Sequence, residues 1–213
     1  MQLIIGNKNY SSWSLRPWLF MRVKGLHFDE QKIPLYADNS KQQLLAQSPA
    51  GLVPILVDDE LRIWDSLAIL EYLNERFPRA QAWPLDEKQR AVARSLCSEM
   101  HSGFFALRNQ MPMNCRRTPA AIEIDAPLQA DIERIQHIWQ QCLEMNQGEF
   151  LFGDFGIIDA FFAPVVMRFA AYDVAPASAQ IASYCQTIYN LPAMQDWIAE
   201  GIAEPEVISA SER

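Results

Sequence analysis

PAGLVPILVDDELRIWDSLAILEYL, residues 49–73, reads as a strand, a tight turn, a return strand and the start of a helix. Pro54 has no N–H, which suits the first residue of a strand or an edge. Ile55, Leu56 and Val57 are β-formers, and Asp58-Asp59 supplies a turn. Leu61, Ile63 and Trp64 make the return strand of a hairpin. Asp65 or Ser66 then caps a helix whose apolar residues Leu67, Leu70, Leu73 and Phe77 recur at helical spacing. A strand edge and a helix N-terminus come to lie side by side. An extended peptide can pair with the first while its carboxylate sits on the second.

That order of features resembles the glutathione site of the soluble glutathione transferases. In that family a cis-proline follows a residue whose backbone pairs with the cysteinyl part of glutathione. An acidic or amide residue followed by Ser then holds the γ-glutamyl end. Val53-Pro54 and Asp65-Ser66 occupy those places. Upstream, Tyr10-Ser11-Ser12-Trp13-Ser14-Leu15-Arg16 stands where the family keeps its catalytic hydroxyl. The run is most similar to the zeta-like bacterial serine-type members, with Trp13 in place of the zeta-class Cys. Downstream, Gly156-Ile157-Ile158-Asp159 resembles the family's helix-capping motif, with Gly where Ser or Thr is usual. The four motifs span nearly the whole chain in order.

The chain's 213 residues can bury a sizeable core in one large or two modest domains. Half are hydrophobic and the net charge is −8, with no basic run, so nucleic acid and anionic membrane are poor partners. No apolar run is long enough for a transmembrane segment or signal peptide, since Leu3 to Ile5 is the longest N-terminal one. Cys97, Cys115, Cys142 and Cys185 have no CxxC spacing, which argues against a disulfide framework or zinc site. They read as buried small hydrophobes in a reducing, cytoplasmic compartment. The three histidines suggest no metal site.

Residues 1–77 alternate strand and helix patterns: a strand at 2–5, a helix at 15–24, a strand at 28–35 and a short helix at 41–47, before the hairpin and helix already described. The resemblance makes this a thioredoxin-like α/β domain. Prolines 78 and 84 punctuate a linker over 78–86. The remainder, 87–213, reads as an all-helical bundle. A long pattern covers 88–108, Pro127 opens another helix, and residues 156–172 are apolar nearly all round. Two shorter helices follow at 177–189 and 193–201, and the last dozen residues read as loosely held.

A thiol with a pKa of roughly 8.5 is only a few per cent thiolate at neutral pH. Lowering that pKa by about 2 units takes about 2.7 kcal/mol of preferential interaction with the anion. One hydroxyl donor plus a helix dipole is of that order. On the resemblance Ser11 takes the catalytic place, with Ser12 the next choice. Helix-capping serines are the alternative, and Pro17, comfortable only in a first turn, places the helix start near Ser14. Asp65, otherwise a plain cap, takes the glutathione ammonium; Ser66 takes the α-carboxylate; Lys41 reaches for the glycyl carboxylate. Asp159 caps Gly156.

The acceptor pocket is expected between the domains, lined by Trp13, Met100, His101, Phe104 and Arg108, of which His101, Phe104 and Arg108 fall with Leu107 close to one helical face. Arg108 would favour an anionic substrate, unless it is a solvated surface residue. The resemblance implies a homodimeric detoxification enzyme joining glutathione to a small electrophile, without a metal. Glutathione-dependent cis–trans isomerisation, of the maleylacetoacetate isomerase type, is an alternative. A non-catalytic glutathione-binding or regulatory protein is another. A redox role for an enzyme thiol is disfavoured, because no Cys precedes Cys97.

Overall fold

A computed structural model describes residues 1–212. Four strands form one sheet in the order β2-β1-β3-β4: β1 Gln2–Ile5, β2 Asp29–Lys32, β3 Ile55–Asp58 and β4 Leu61–Trp64. β1 runs parallel to β2 and antiparallel to β3, and β3 pairs with β4, Ile55 facing Trp64, across an Asp59-Glu60 turn one residue later than expected, since Asp58 pairs with Leu61 in the strand. The parallel pair needs a crossover, which α1 (Ser12–Val23) supplies. α1 and α3 (Ser66–Arg76) belong to the main core with Leu3, Ile5 and Leu56. α2 (Ser40–Gln47) covers the opposite face, where Leu44 packs with Ile4, Ile33 and Ile55. This is the thioredoxin-like arrangement, and an all-helical C-terminal part completes the fold. The Val53-Pro54 bond is cis.

The helical part comprises α4 Glu87–Ser102, α5 Phe105–Gln110, α6 Ala126–Met145, α7 Ile157–Ala171, α8 Ala179–Tyr189 and α9 Pro192–Ala203. α7 is buried over almost its whole length, as an all-round apolar helix must be, and carries Pro164 inside it. It packs against α1, so the sheet's helix and the bundle's central helix share one core. No helix among the described residues is long and apolar enough to cross a membrane.

Three expectations are corrected. α1 starts at Ser12, because the Ser11 side chain accepts the Ser14 N–H at 3.3 Å and the Ser11 carbonyl accepts Leu15 N–H at 3.1 Å. Pro17 thus lies inside the helix, and Ser11, rather than Ser14, is the cap. The pattern over 88–108 is two helices. Gly103 and Phe104, the latter left-handed at φ 59°, break it. The tail is tied down. Glu204 accepts the Lys8 and Asn9 N–H groups at 3.0 and 3.1 Å, and Arg116 donates to the Glu204 and Glu206 carbonyls. Tyr10 Oη and Asn114 bond further along it, to Ile208 N–H and the Ser211 carbonyl. Residues this polar are held by hydrogen bonds, which hydrophobic periodicity does not register.

Candidate functional site

The loop from Gly6 to Ser11 leaves β1 and enters α1. Its shape is set by Ser14, whose Oγ accepts Gly6 N–H at 3.1 Å and lies 2.8 Å from Ser11 Oγ. Ser11 donates its O–H to Ser14 Oγ, which thus accepts two protons, while Ser11 Oγ accepts the Ser14 N–H. Ser12 is the first residue of α1, and its Oγ accepts Arg168 Nη2 at 3.3 Å. Both hydroxyl residues are nearly buried.

Two clefts meet over this loop and share Trp13, Leu52 and Val53. The first, about 320 Å³, is lined also by Pro54, Trp64, Asp65, Ser66 and His101. Asp65 caps α3: its Oδ1 accepts Leu67 and Ala68 N–H at 2.9 and 3.2 Å. Its Oδ2 lies 3.0 Å from His101 Nε2. Ser66 is buried, and its hydroxyl has no hydrogen-bond partner among the described residues. A buried polar group without a partner is costly, and here it lines a cleft beside a helix N-terminus.

The second cleft, about 520 Å³, brings Ser11, Ser12, Arg108 and Arg168 together with Ile208, Ala210 and Ser211 of the tail. Among the described residues no carboxylate lines it, in a chain whose net charge is −8. Arg16 lies behind Trp13, its guanidinium 4.3 Å from that ring and 4.4 Å from Phe161. Its Nε and Nη1 have no hydrogen-bond partner among the described residues. Burial, then the Arg108 and Arg168 charges, push its pKa down. Burial also lowers Arg168, to about 9, and lowers Arg108. All three remain cationic at neutral pH, so this end of the site carries a positive field.

Among the expected residues, the structure brings Val53, Pro54, Asp65 and Ser66 to one cleft and Ser11, Ser12 and Arg108 to its neighbour, with Trp13 in both. His101 lies in the first cleft and Arg108 in the second, and both approach the Trp13 ring. Met100 and Phe104 are core residues, because the break at Gly103 turns α5 off the line of α4. Lys41 lines neither cleft, and its ammonium bonds the Gly51 carbonyl at 3.2 Å. Sequence reasoning missed Arg168, Ser14 and the tail. Arg168 had a visible signal, a charge inside the apolar run of α7.

Asp159 is fully buried and accepts the Gly156 and Leu151 N–H groups at 2.8 and 3.1 Å. Among the described residues no cluster of three or more His, Cys, Asp or Glu could hold a metal ion. Burial raises all four thiols, to about 12 in Cys115, Cys142 and Cys185, so none is poised as a nucleophile. Cys115 and Cys185 are only partly buried, against expectation.

Residues 10–76 match the family described as Glutathione S-transferase, N-terminal domain. Glutathione S-transferase 1 of Dianthus caryophyllus is 28% identical over 170 residues, 78% of this chain and 76% of that protein. The stringent starvation protein A homolog of Coxiella burnetii is 29% identical over 155 residues, covering 70% of this chain and 68% of that protein. A glutathione transferase homolog from Burkholderia GL BGR1, solved with bound glutathione, superposes with a TM-score of 0.72. It is 23% identical and covers 94% of this chain and 97% of that one, a likeness of fold.

Proposed function

Because the chain belongs to the soluble glutathione S-transferase family, we propose that it binds glutathione across the two clefts and joins its sulphur to a small electrophile. The γ-glutamyl ammonium meets Asp65, its carboxylate meets the Ser66 hydroxyl, and the cysteinyl backbone pairs with Val53. The sulphur then lies towards Ser11. The Ser11 O–H turns from Ser14 Oγ to the sulphur, so the thiolate gains a hydrogen bond while the thiol proton leaves to solvent. The thiolate attacks the electrophile, forming a C–S bond as the leaving group departs, or adding to a double bond whose other carbon then takes a proton from solvent. On this reading residues 1–77 supply glutathione binding, 78–86 link, and 87–213 supply the acceptor side. Homodimerisation and a cytoplasmic detoxifying role are what the family resemblance implies.

The observation that carries this reading is the buried, unpartnered Ser66 hydroxyl in a cleft with Asp65, Val53 and Pro54. Titration calorimetry with glutathione tests it. Binding that Ser66→Ala weakens in a folded protein supports the reading, and no binding by wild type rejects it. A regulatory relative of this fold that had dropped glutathione would fail the same titration.

A second reading is favoured by Arg108 and Arg168 at a cleft without carboxylates. There the acceptor is an unsaturated carboxylate. The thiolate adds to its double bond, the new single bond rotates, and elimination returns glutathione as a cis–trans isomer leaves. Glutathione is consumed in the first reading and regenerated in the second, so a thiol assay during turnover separates them.

A further inference from the structure

Of the roughly four acceptor positions on a carboxylate, Asp65 has three occupied: two by the Leu67 and Ala68 N–H groups and one by His101 Nε2 at 3.0 Å. The first two are local to α3. The third comes from the last turn of α4, in the helical part of the molecule. The imidazole is held edge-on to Trp13 at 5.2 Å and tilted against Phe161 at 6.1 Å, and it lines the same cleft as Ser66.

We propose that His101 is a positioning residue of the glutathione site: its Nε2–H fixes the rotation of the Asp65 carboxylate so that the remaining lone pair faces the cleft and receives the γ-glutamyl ammonium. The proposal rests on the glutathione reading above. It gives α4 a part in glutathione binding that no side chain of the thioredoxin-like part supplies.

The contact has a pH sense. The charged groups facing His101 are Asp65 at the start of α3, Arg16 on α1 and Arg108 on α5, while Trp13 and Phe161 present uncharged rings. Burial lowers the His101 pKa, Arg16 and Arg108 lower it further, and Asp65 opposes them. At neutral pH the imidazole is therefore neutral, donating through Nε2 and leaving a bare Nδ1, which is buried without a partner among the described residues. On acidification the imidazolium neutralises part of the Asp65 charge and repels the ligand's ammonium. Glutathione affinity falls as a result.

Titration calorimetry with glutathione at about pH 7.5 and about pH 5.5, on wild type, His101→Gln and His101→Leu, tests the proposal. Imidazole proton NMR on wild type and Asp65→Asn accompanies it. Near neutrality His101→Leu binds glutathione about three- to tenfold more weakly. His101→Gln keeps an N–H donor, binds close to wild type, and lacks the wild type's weakening at acid pH. The His101 resonance titrates lower in Asp65→Asn than in wild type, because the carboxylate that favours the imidazolium is gone. Wild-type affinity in His101→Leu, a wild-type pH slope in His101→Gln, or an unmoved resonance overturns the proposal alone. A wild type that binds no glutathione at either pH overturns the glutathione reading, and the proposal with it.

Discussion

Asp65 combines a backbone angle, a helix cap and a proposed ligand contact. Its φ of 77° with ψ of 131° lies outside the left-handed helical region, in a conformation that L side chains rarely adopt. The roles can be separated by charge. Asp65→Asn keeps an oxygen for the Leu67 and Ala68 N–H groups, so melting temperature should hold while glutathione binding falls more than about tenfold. Asp65→Ala should lose the cap as well, about 1 kcal/mol of stability. Calorimetry and thermal melts on both variants check this. At the serines, Ser11→Ala is expected to raise the pKa of bound glutathione and slow the chemical step by about ten- to a hundredfold. Ser12→Ala should do less, since on the family resemblance Ser11 takes the catalytic place. Thiolate absorbance followed against pH reads both, and a larger shift in Ser12→Ala would move the role by one residue. Asp65 as the cap of α3 is legible in sequence because a cap acts on residues two and three ahead. The Arg168–Ser12 contact joins residues 156 apart, and nothing local in either segment announces it.

The hairpin, α3 and α6 follow their sequence signals closely, because turn residues, caps and a one-sided apolar stripe agree there. α1 and α4 depart from theirs where a local rule is outweighed. Pro17 should sit in a first turn, yet the Ser11 cap starts the helix earlier and leaves Pro17 inside it. Apolar spacing runs through Gly103 without pause, but a Cβ there would meet the Glu99 carbonyl at 2.9 Å. That close approach marks the end of α4, and periodicity alone is blind to it. The entrance to α7 offers a pH test. Burial pushes the Asp159 carboxyl up to about 7, well above an unfolded value of about 3.9. The folded state therefore binds the proton more tightly, and stability falls as pH rises from about 4 towards 7. Asp159→Asn removes this component. One of its two partner N–H groups then faces an amide N–H₂, so the variant is less stable, and the gap to wild type should shrink between about pH 5 and about pH 8. Urea midpoints of both proteins across that range measure it, and a constant gap would show that Asp159 is ionised throughout.

Across the whole molecule, the two-part architecture is legible because strand and helix signals separate along the chain. The closure between the parts is less so, because polar contacts over long separations fasten it beside the core that α1 and α7 share. Lys8 shows this: its ammonium pairs with Glu30 and Glu200 and lies 4.7 Å from the Trp18 ring and 5.4 Å from that of Trp197. Glu204 does the same for the backbone, accepting the Lys8 and Asn9 N–H groups at a buried site. Glu204→Gln presents an amide N–H₂ to one of those donors and leaves it unsatisfied. The expected loss is about 2 kcal/mol, or a melting temperature lower by about 4–8 °C. A scanning melt decides this, and an unchanged midpoint would mean that the tail does not clamp the loop in solution. The same clamp orders events in time. Lys8 and Glu204 are 196 residues apart, so at about 5–20 residues per second a ribosome needs about 10–40 s to travel from one to the other. Through that interval the loop leading to Ser11 has emerged but lacks the residue that fastens it. A nascent chain would acquire the fastened form of this loop only once residue 204 has cleared the exit tunnel.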